Sequence, residues 1–181
     1  MTERILIAGW GGQGVMTLGK LVAMVAMRLD KHVTCLPAYG AEVRGGTAYC
    51  HVIISDDAIH SPIVTEADTL FLMNQPSYDK FHAMIVRGGL ILVNSTTVTQ
   101  EQPHPEARTV RVPATDVAIQ LGNVRVANMV MLGAYRACKD FLPLDSVHAV
   151  LVETLTGKRA LLAEINIKAL DAGLAHALEQ R

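Results

Sequence analysis

Arg4-Ile5-Leu6-Ile7-Ala8-Gly9-Trp10-Gly11-Gly12-Gln13-Gly14-Val15 is the stretch that decides the fold. Its apolar run reads as a strand, its glycines as a tight turn, and the apolar pattern from roughly Val15 to Leu29 as a helix. Glycines at a strand-to-helix junction let the backbone take left-handed conformations and come into contact with a ligand or another chain, which side chains would prevent. The helix aims its first unpaired N–H groups and the positive end of its dipole at that turn, where an anion or a carbonyl can sit.

Working outward, His32 to Leu36 is short, β-branched and bounded by Pro37, as a second parallel strand would be, and the first helix is then a right-handed crossover. The stretch Ala38 to Gly46, with Gly40, Gly45 and Gly46, lacks periodicity and reads as a loop at that strand's carboxyl end, where open α/β sheets bind ligands. Thr47 to Ser55 alternates, with Ala48, Cys50, Val52 and Ile54 on one face. Asp56-Asp57 suits a turn with Ala58 to His60 returning as a hairpin. Thr69 to Met73 and Leu90 to Asn94 read as buried strands, with a helix from Gln75 to about Val86 between them, started by Pro76 and closed by Gly88-Gly89. Thr99 to Glu106 reads as a loop and Arg108 to Val112 as a strand. Thr115 is positioned to cap a short helix. Further helices are expected over Asn128 to Cys138, after Pro143 up to Gly157, and through Leu162 to Leu178. The fold class is therefore α/β: one doubly wound, mainly parallel sheet of about six or seven strands, helices on both faces, and an antiparallel hairpin near Asp56.

The 181 residues suit one domain. Half of them are apolar, only 4% are aromatic and eight are Met, which implies an aliphatic core with thioether filling. A formal net charge of -1 without a basic run excludes nucleic acid and anionic membrane as expected partners. No leader pattern opens the sequence, and Lys20 and Arg28 interrupt the first helix, so a cytoplasmic protein is expected. Cys35, Cys50 and Cys138 have no paired spacing and read as small buried hydrophobes.

Gly9-x-Gly11-x-x-Gly14 satisfies the dinucleotide-binding fingerprint, but the second strand ends in Cys35-Leu36-Pro37-Ala38 where a nicotinamide site needs a carboxylate for the ribose. Glu42 is the nearest acid and lies inside the glycine-bearing loop. Gly14 to Lys20 has P-loop spacing, yet Leu21 stands where magnesium needs Ser or Thr, and Val15 to Leu18 reads as a helical turn. The seven histidines are scattered, and His51 reads as structural. Glu42 and Arg44 suit a salt bridge or an interface contact more than an anionic substrate. Trp10 serves equally as an exposed anchor for a partner or as a core plug.

Gly9 to Val15, then Tyr39-Gly40-Ala41-Glu42-Val43-Arg44-Gly45-Gly46, then Ser61-Pro62 with Ala67-Asp68, and Asn128 with Leu132-Gly133, together resemble the gamma subunit of the 2-oxoacid:ferredoxin oxidoreductases, over essentially the whole chain. The resemblance implies a complex that decarboxylates a 2-oxoacid such as pyruvate, 2-oxoglutarate or 2-oxoisovalerate on thiamine diphosphate with magnesium. It passes electrons through iron–sulfur clusters to ferredoxin and forms an acyl-CoA. Those cofactors are expected on alpha, beta and ferredoxin-like delta subunits or at interfaces, and none on this chain, which has neither Gly-Asp-Gly nor a cluster-binding cysteine run. The chain is then a catalytically silent subunit of a hetero-oligomer. Gly11, Gly12, Gln13 and Gly14, with Glu42, Arg44, Gly45 and Gly46, are expected to face partner subunits and to shape the acyl-CoA-forming mouth, with Gln13 hydrogen-bonding and Arg44 pairing a carboxylate or a CoA phosphate. No catalytic or metal-ligating residue is assigned. A 2-oxoglutarate or branched-chain substrate is favoured by a gamma chain of this length. The corresponding subunit of an indolepyruvate oxidoreductase and a free-standing nucleotide-binding oxidoreductase domain are the alternatives.

Overall fold

Ile5, Leu6, Ile7 and Ala8 have no exposed surface, as a strand covered on both faces requires. They belong to β1 (Thr2–Trp10), which feeds α1 (Val15–Arg28) through the glycine turn. The computed structural model describes residues 1–39, 47–155 and 160–180. After α1 come β2 (His32–Tyr39), β3 (Thr47–Ser55), β4 (Ala67–Leu72), α2 (Gln75–Phe81), β5 (Ile85–Asn94) and β6 (Arg108–Val112). Four helices complete the described chain: α3 (Ala114–Gln120), α4 (Ala127–Cys138), α5 (Leu144–Thr154) and α6 (Ala160–Leu178). Short 3-10 turns at His82–Met84 and Val124–Val126 precede β5 and α4. No helix among the described residues is long and apolar enough to cross a membrane.

The six strands form one sheet in the order β2-β3-β1-β4-β5-β6. β1, β4, β5 and β6 run parallel, whereas β3 lies antiparallel between β1 and β2. The α/β class and the mainly parallel sheet are as expected. The strands β1 and β2 share a direction but are not neighbours, because β3 fills the slot between them. The antiparallel element is not the hairpin expected at Asp56 but β3 itself, which pairs with β2 and β1. Residues 58–60 form no return strand.

Two other boundaries differ. α2 stops at Phe81, and Gly88-Gly89 lie inside β5 instead of ending a helix. Gly88 has φ 74°, and the β4–β5 register shifts between Ala67 and Thr69, so the glycines make an irregularity within the strand. Thr115 is no cap: Pro113 occupies that position of α3, and the Thr115 hydroxyl accepts from Asn94 Nδ2 at 2.8 Å.

Helices cover both faces unequally. Ile5, Ile7, Cys50, Val52, Phe71 and Leu92 lie beneath α1, α3, α4, α5 and α6. Leu6, Ala8, Ile53, Leu70 and Ile91 lie beneath α2 and the adjoining loops. Each large aliphatic side chain buried in this way contributes about 1.5–3 kcal/mol. α4 and α6 cross at two glycines: a side chain at Gly133 would fall on the Leu170 carbonyl, and one at Gly173 on that of Val130. At the amino end of the parallel strands, buried Glu3 accepts from Lys139 Nζ at 2.7 and 2.9 Å and from Thr69 Oγ1 at 2.6 Å, so its charge is paired and hydrogen-bonded.

Candidate functional site

β1 ends at Trp10 and α1 begins at Val15, and the turn between them is shaped by two left-handed glycines, Gly12 at φ 100° and Gly14 at φ 74°. Gly11 and Gly12 face open space. Gly14 does not: its carbonyl accepts from Asn128 Nδ2 at 3.2 Å, and Asn128 stands where a Cβ on Gly14 would be. Trp10 is 41% exposed, so it is not a core plug.

Gln13 turns inward. Its Oε1 accepts from Trp10 N at 2.8 Å and from Asn74 Nδ2 at 2.9 Å, and its Nε2 donates to the Met73 carbonyl at 2.9 Å. That carbonyl also receives Thr97 Oγ1 at 2.7 Å and Asn94 Nδ2 at 3.3 Å. Asn74 caps α2 by accepting from Ser77 N, and both Asn74 and Asn94 are fully buried. The carboxyl ends of β1, β4 and β5 are thus laced by amides into a rigid floor under the turn. Sequence reasoning missed this floor. Its visible signal was an Asn immediately after the apolar runs Leu70 to Met73 and Leu90 to Val93.

Of the second predicted loop, only the flanking residues are described. Tyr39 closes β2 beside Ala48, and Thr47 opens β3 opposite Trp10, so 40–46 leaves and re-enters the sheet next to the glycine turn. Glu42, Arg44, Gly45 and Gly46 lie outside the described residues, as does Gly157.

Beside the turn is a cavity of about 470 Å³, bounded by α1, the 3-10 turn before α4, and parts of α4, α5 and α6. Gly12, Gly14, Thr17, Lys20, Arg125 and Asn128 give it a polar side, and apolar side chains such as Met24 and Leu151 give it another. Its described lining holds two cations and no carboxylate. Neither Lys20 nor Arg125 forms an ion pair among the described residues. The Oδ1 of Asn128, a residue only 4% exposed, is itself buried and has no hydrogen-bond partner among the described residues. Two cations beside the first turn of a helix attract an anion, and an apolar wall beside them suits a ligand with an uncharged body.

The remaining expected sites resolve clearly. Val15 to Leu18 is helical, as read, so Lys20 reaches the cavity from within α1. The dinucleotide arrangement is weakened further, because β3 stands where that fold places its second strand beside the first. His51 Nδ1 accepts from Val64 N at 3.2 Å, and burial lowers its pKa, which fits a structural role. The cysteines are corrected in part: Cys50 is buried, but its sulfur lies 3.5 Å from that of half-buried Cys35. They are 15 residues apart, and only the β2–β3 pairing brings them together.

Fold and cavity define an α/β domain with a cation-bearing cavity beside the glycine turn at the carboxyl edge of its sheet. The chain belongs to the pyruvate ferredoxin/flavodoxin oxidoreductase family, whose sequence pattern matches residues 4–176. It is 39% identical over 177 residues to the ketoisovalerate oxidoreductase subunit VorA of Methanothermobacter thermautotrophicus, covering 97% of this chain but 36% of that one. It is 32% identical over 169 residues to the 2-oxoglutarate synthase subunit KorC of Methanocaldococcus jannaschii, covering 90% of both. The chain therefore spans about a third of the VorA relative and nearly all of KorC. Its structure is similar to the crystal structure of the keto/oxoacid ferredoxin oxidoreductase gamma subunit of Geobacter sulfurreducens, with a TM-score of 0.84, 30% identity, and 98% and 99% of the two chains covered.

Proposed function

We propose that this chain is the gamma subunit of a thiamine diphosphate-dependent 2-oxoacid:ferredoxin oxidoreductase, and that its cavity receives CoA, the acyl acceptor. The observation that carries the CoA assignment is the cavity lining: Lys20 and Arg125 without a carboxylate among the described residues, beside an open glycine turn at a helix start. The cations suit the phosphates of CoA. The apolar wall excludes water from the remainder of the ligand. Relatives named for ketoisovalerate and 2-oxoglutarate, both above 30% identity, favour this reading over an indolepyruvate enzyme.

The chain's own work is to bind and orient. Its carboxyl edge, with exposed Trp10, Gly11 and Gly12 and the ends of the 40–46 loop, is the surface that meets the alpha and beta subunits and, where present, a ferredoxin-like delta subunit. Thiamine diphosphate with magnesium, and iron–sulfur clusters, supply decarboxylation and electron transfer to ferredoxin when the partners bring them. Glu42, Arg44, Gly45 and Gly46 complete this edge in the proposal, with Arg44 pairing a carboxylate or a phosphate.

Titration calorimetry with CoA tests the ligand. Lys20→Ala and Arg125→Ala should each weaken binding about 5- to 20-fold, the loss of one charge-assisted contact. An unchanged affinity in the double variant would remove CoA from this cavity. Arg44→Ala in the assembled complex should weaken CoA or subunit binding.

A further inference from the structure

We propose that Cys35 and Cys50 are a redox-active dithiol, a site at which a hydroperoxide oxidises this chain to an intramolecular, reversible Cys35–Cys50 disulfide. The two residues are diagonal neighbours on adjacent antiparallel strands: Cys35 stands opposite Val52, and Cys50 opposite Pro37. Diagonal positions share a sheet face, and the two sulfurs are already 3.5 Å apart.

Their surroundings give them different roles. Cys50 is 1% exposed and lies under α1, where a Cβ on Gly19 would come within 2.6 Å of its sulfur. Cys35 is half-buried on β2, which hydrogen-bonds on one side only, as the edge of the sheet. Cys35 is the thiol that solvent reaches, and Cys50 is the one that waits behind it. The electrostatics agree: the hydrogen bond between the two sulfurs, against the opposing effect of burial, brings the Cys35 pKa down to about 7, with help from the Lys20 ammonium. The same hydrogen bond and burial push Cys50 up. The lowered value favours the thiolate at Cys35, the form that attacks a peroxide.

The step balances. The Cys35 thiolate attacks one peroxide oxygen, the O–O bond breaks, and hydroxide or alkoxide leaves and is protonated, so that Cys35 becomes a sulfenic acid. The Cys50 sulfur then attacks the Cys35 sulfur, the S–O bond breaks, and water leaves with the Cys50 proton. Two thiols lose two hydrogens, and the peroxide is reduced to two hydroxylic products. A disulfide requires sulfurs about 2.05 Å apart. α1 closes over Cys50, so the remaining approach falls to β2, which has a single strand neighbour.

The experiment exposes the reduced full chain to hydrogen peroxide, blocks the remaining thiols by alkylation, and maps the product by peptide mass spectrometry. We expect a loss of two hydrogens, a Cys35–Cys50 cross-link with Cys138 still alkylated, and complete reversal by dithiothreitol. Cys50→Ser should leave a sulfenic acid at Cys35 that dimedone traps, and Cys35→Ser should abolish both products. In the wild-type chain, alkylation of Cys35 by iodoacetamide should titrate near pH 7, and Lys20→Met should move that midpoint upward. The proposal is overturned if peroxide leaves both wild-type thiols reduced, if it drives Cys35 to the sulfinic acid with no cross-link, or if the link formed involves Cys138. These three results come from the wild-type chain and do not depend on the folding of a variant.

Discussion

At Gly14 a left-handed backbone and the side chain of Asn128 constrain the same position. Gly14→Ala meets both the αL penalty and an overpacked contact, and should cost about 2–4 kcal/mol in denaturant unfolding. Gly12→Ala keeps the backbone penalty but enters open space, so about 1–2 kcal/mol is expected. Gly11→Ala meets neither obstacle and should leave the unfolding midpoint within about 0.5 kcal/mol of wild type. Any loss of partner association in that variant would therefore report a lost contact and not a damaged fold. Gln13 shows where residue-level reading stops. Its capacity to donate and accept was legible, but its direction was not, because Met73 and Asn74 lie about sixty residues away. Gln13→Glu should destabilise by about 1–3 kcal/mol, since a carboxylate would then face the Met73 carbonyl.

Among the elements, those resting on a long apolar period or an uninterrupted strand were legible: β1, α1, β6 and α4 lie close to where the pattern places them. The errors share one cause. Gly88-Gly89 signal a helix end in isolation, yet become a strand irregularity once β4 and β6 flank them on either side. Likewise Ala58 to His60 carries local strand propensity, but β3 already has β1 and β2 as neighbours and leaves it nothing to pair with. His51 on β3 supplies a pH prediction. Burial depresses its folded-state pKa below the ordinary value of 6.5. Its contribution is then complete above that value and fades as the pH falls through the window beneath it, where the unfolded chain takes up the proton first. His51→Gln, which retains an acceptor for Val64 N, should flatten the part of the stability decline that His51 causes below about pH 6.5, measured by urea unfolding.

For the whole molecule, the glycine fingerprint had pointed to a dinucleotide, and the missing acid at the end of the second strand argued against one. The position of β3 supplies the topological reason. The cavity itself could not be read from sequence, because Lys20, the Arg125–Asn128 stretch and Asn166 come from three separate segments whose approach depends on helix packing. That packing turns on the crossing of α4 and α6. Gly133→Ala or Gly173→Ala would force the two backbones apart, and a loss of about 3 kcal/mol or more is expected, with a lower melting temperature as the readout. The crossing also bears on cooperativity. Two helices that touch main chain to main chain have no shallower docked state to fall back on, so α6 is either seated at full depth or released. Leu162 and Asn166 ride on α6 into the cavity wall, so the cavity and the seating of α6 form one cooperative unit. CoA should accordingly slow amide hydrogen exchange along α6 as far as its distal turns near Leu178, well beyond any atom the ligand touches.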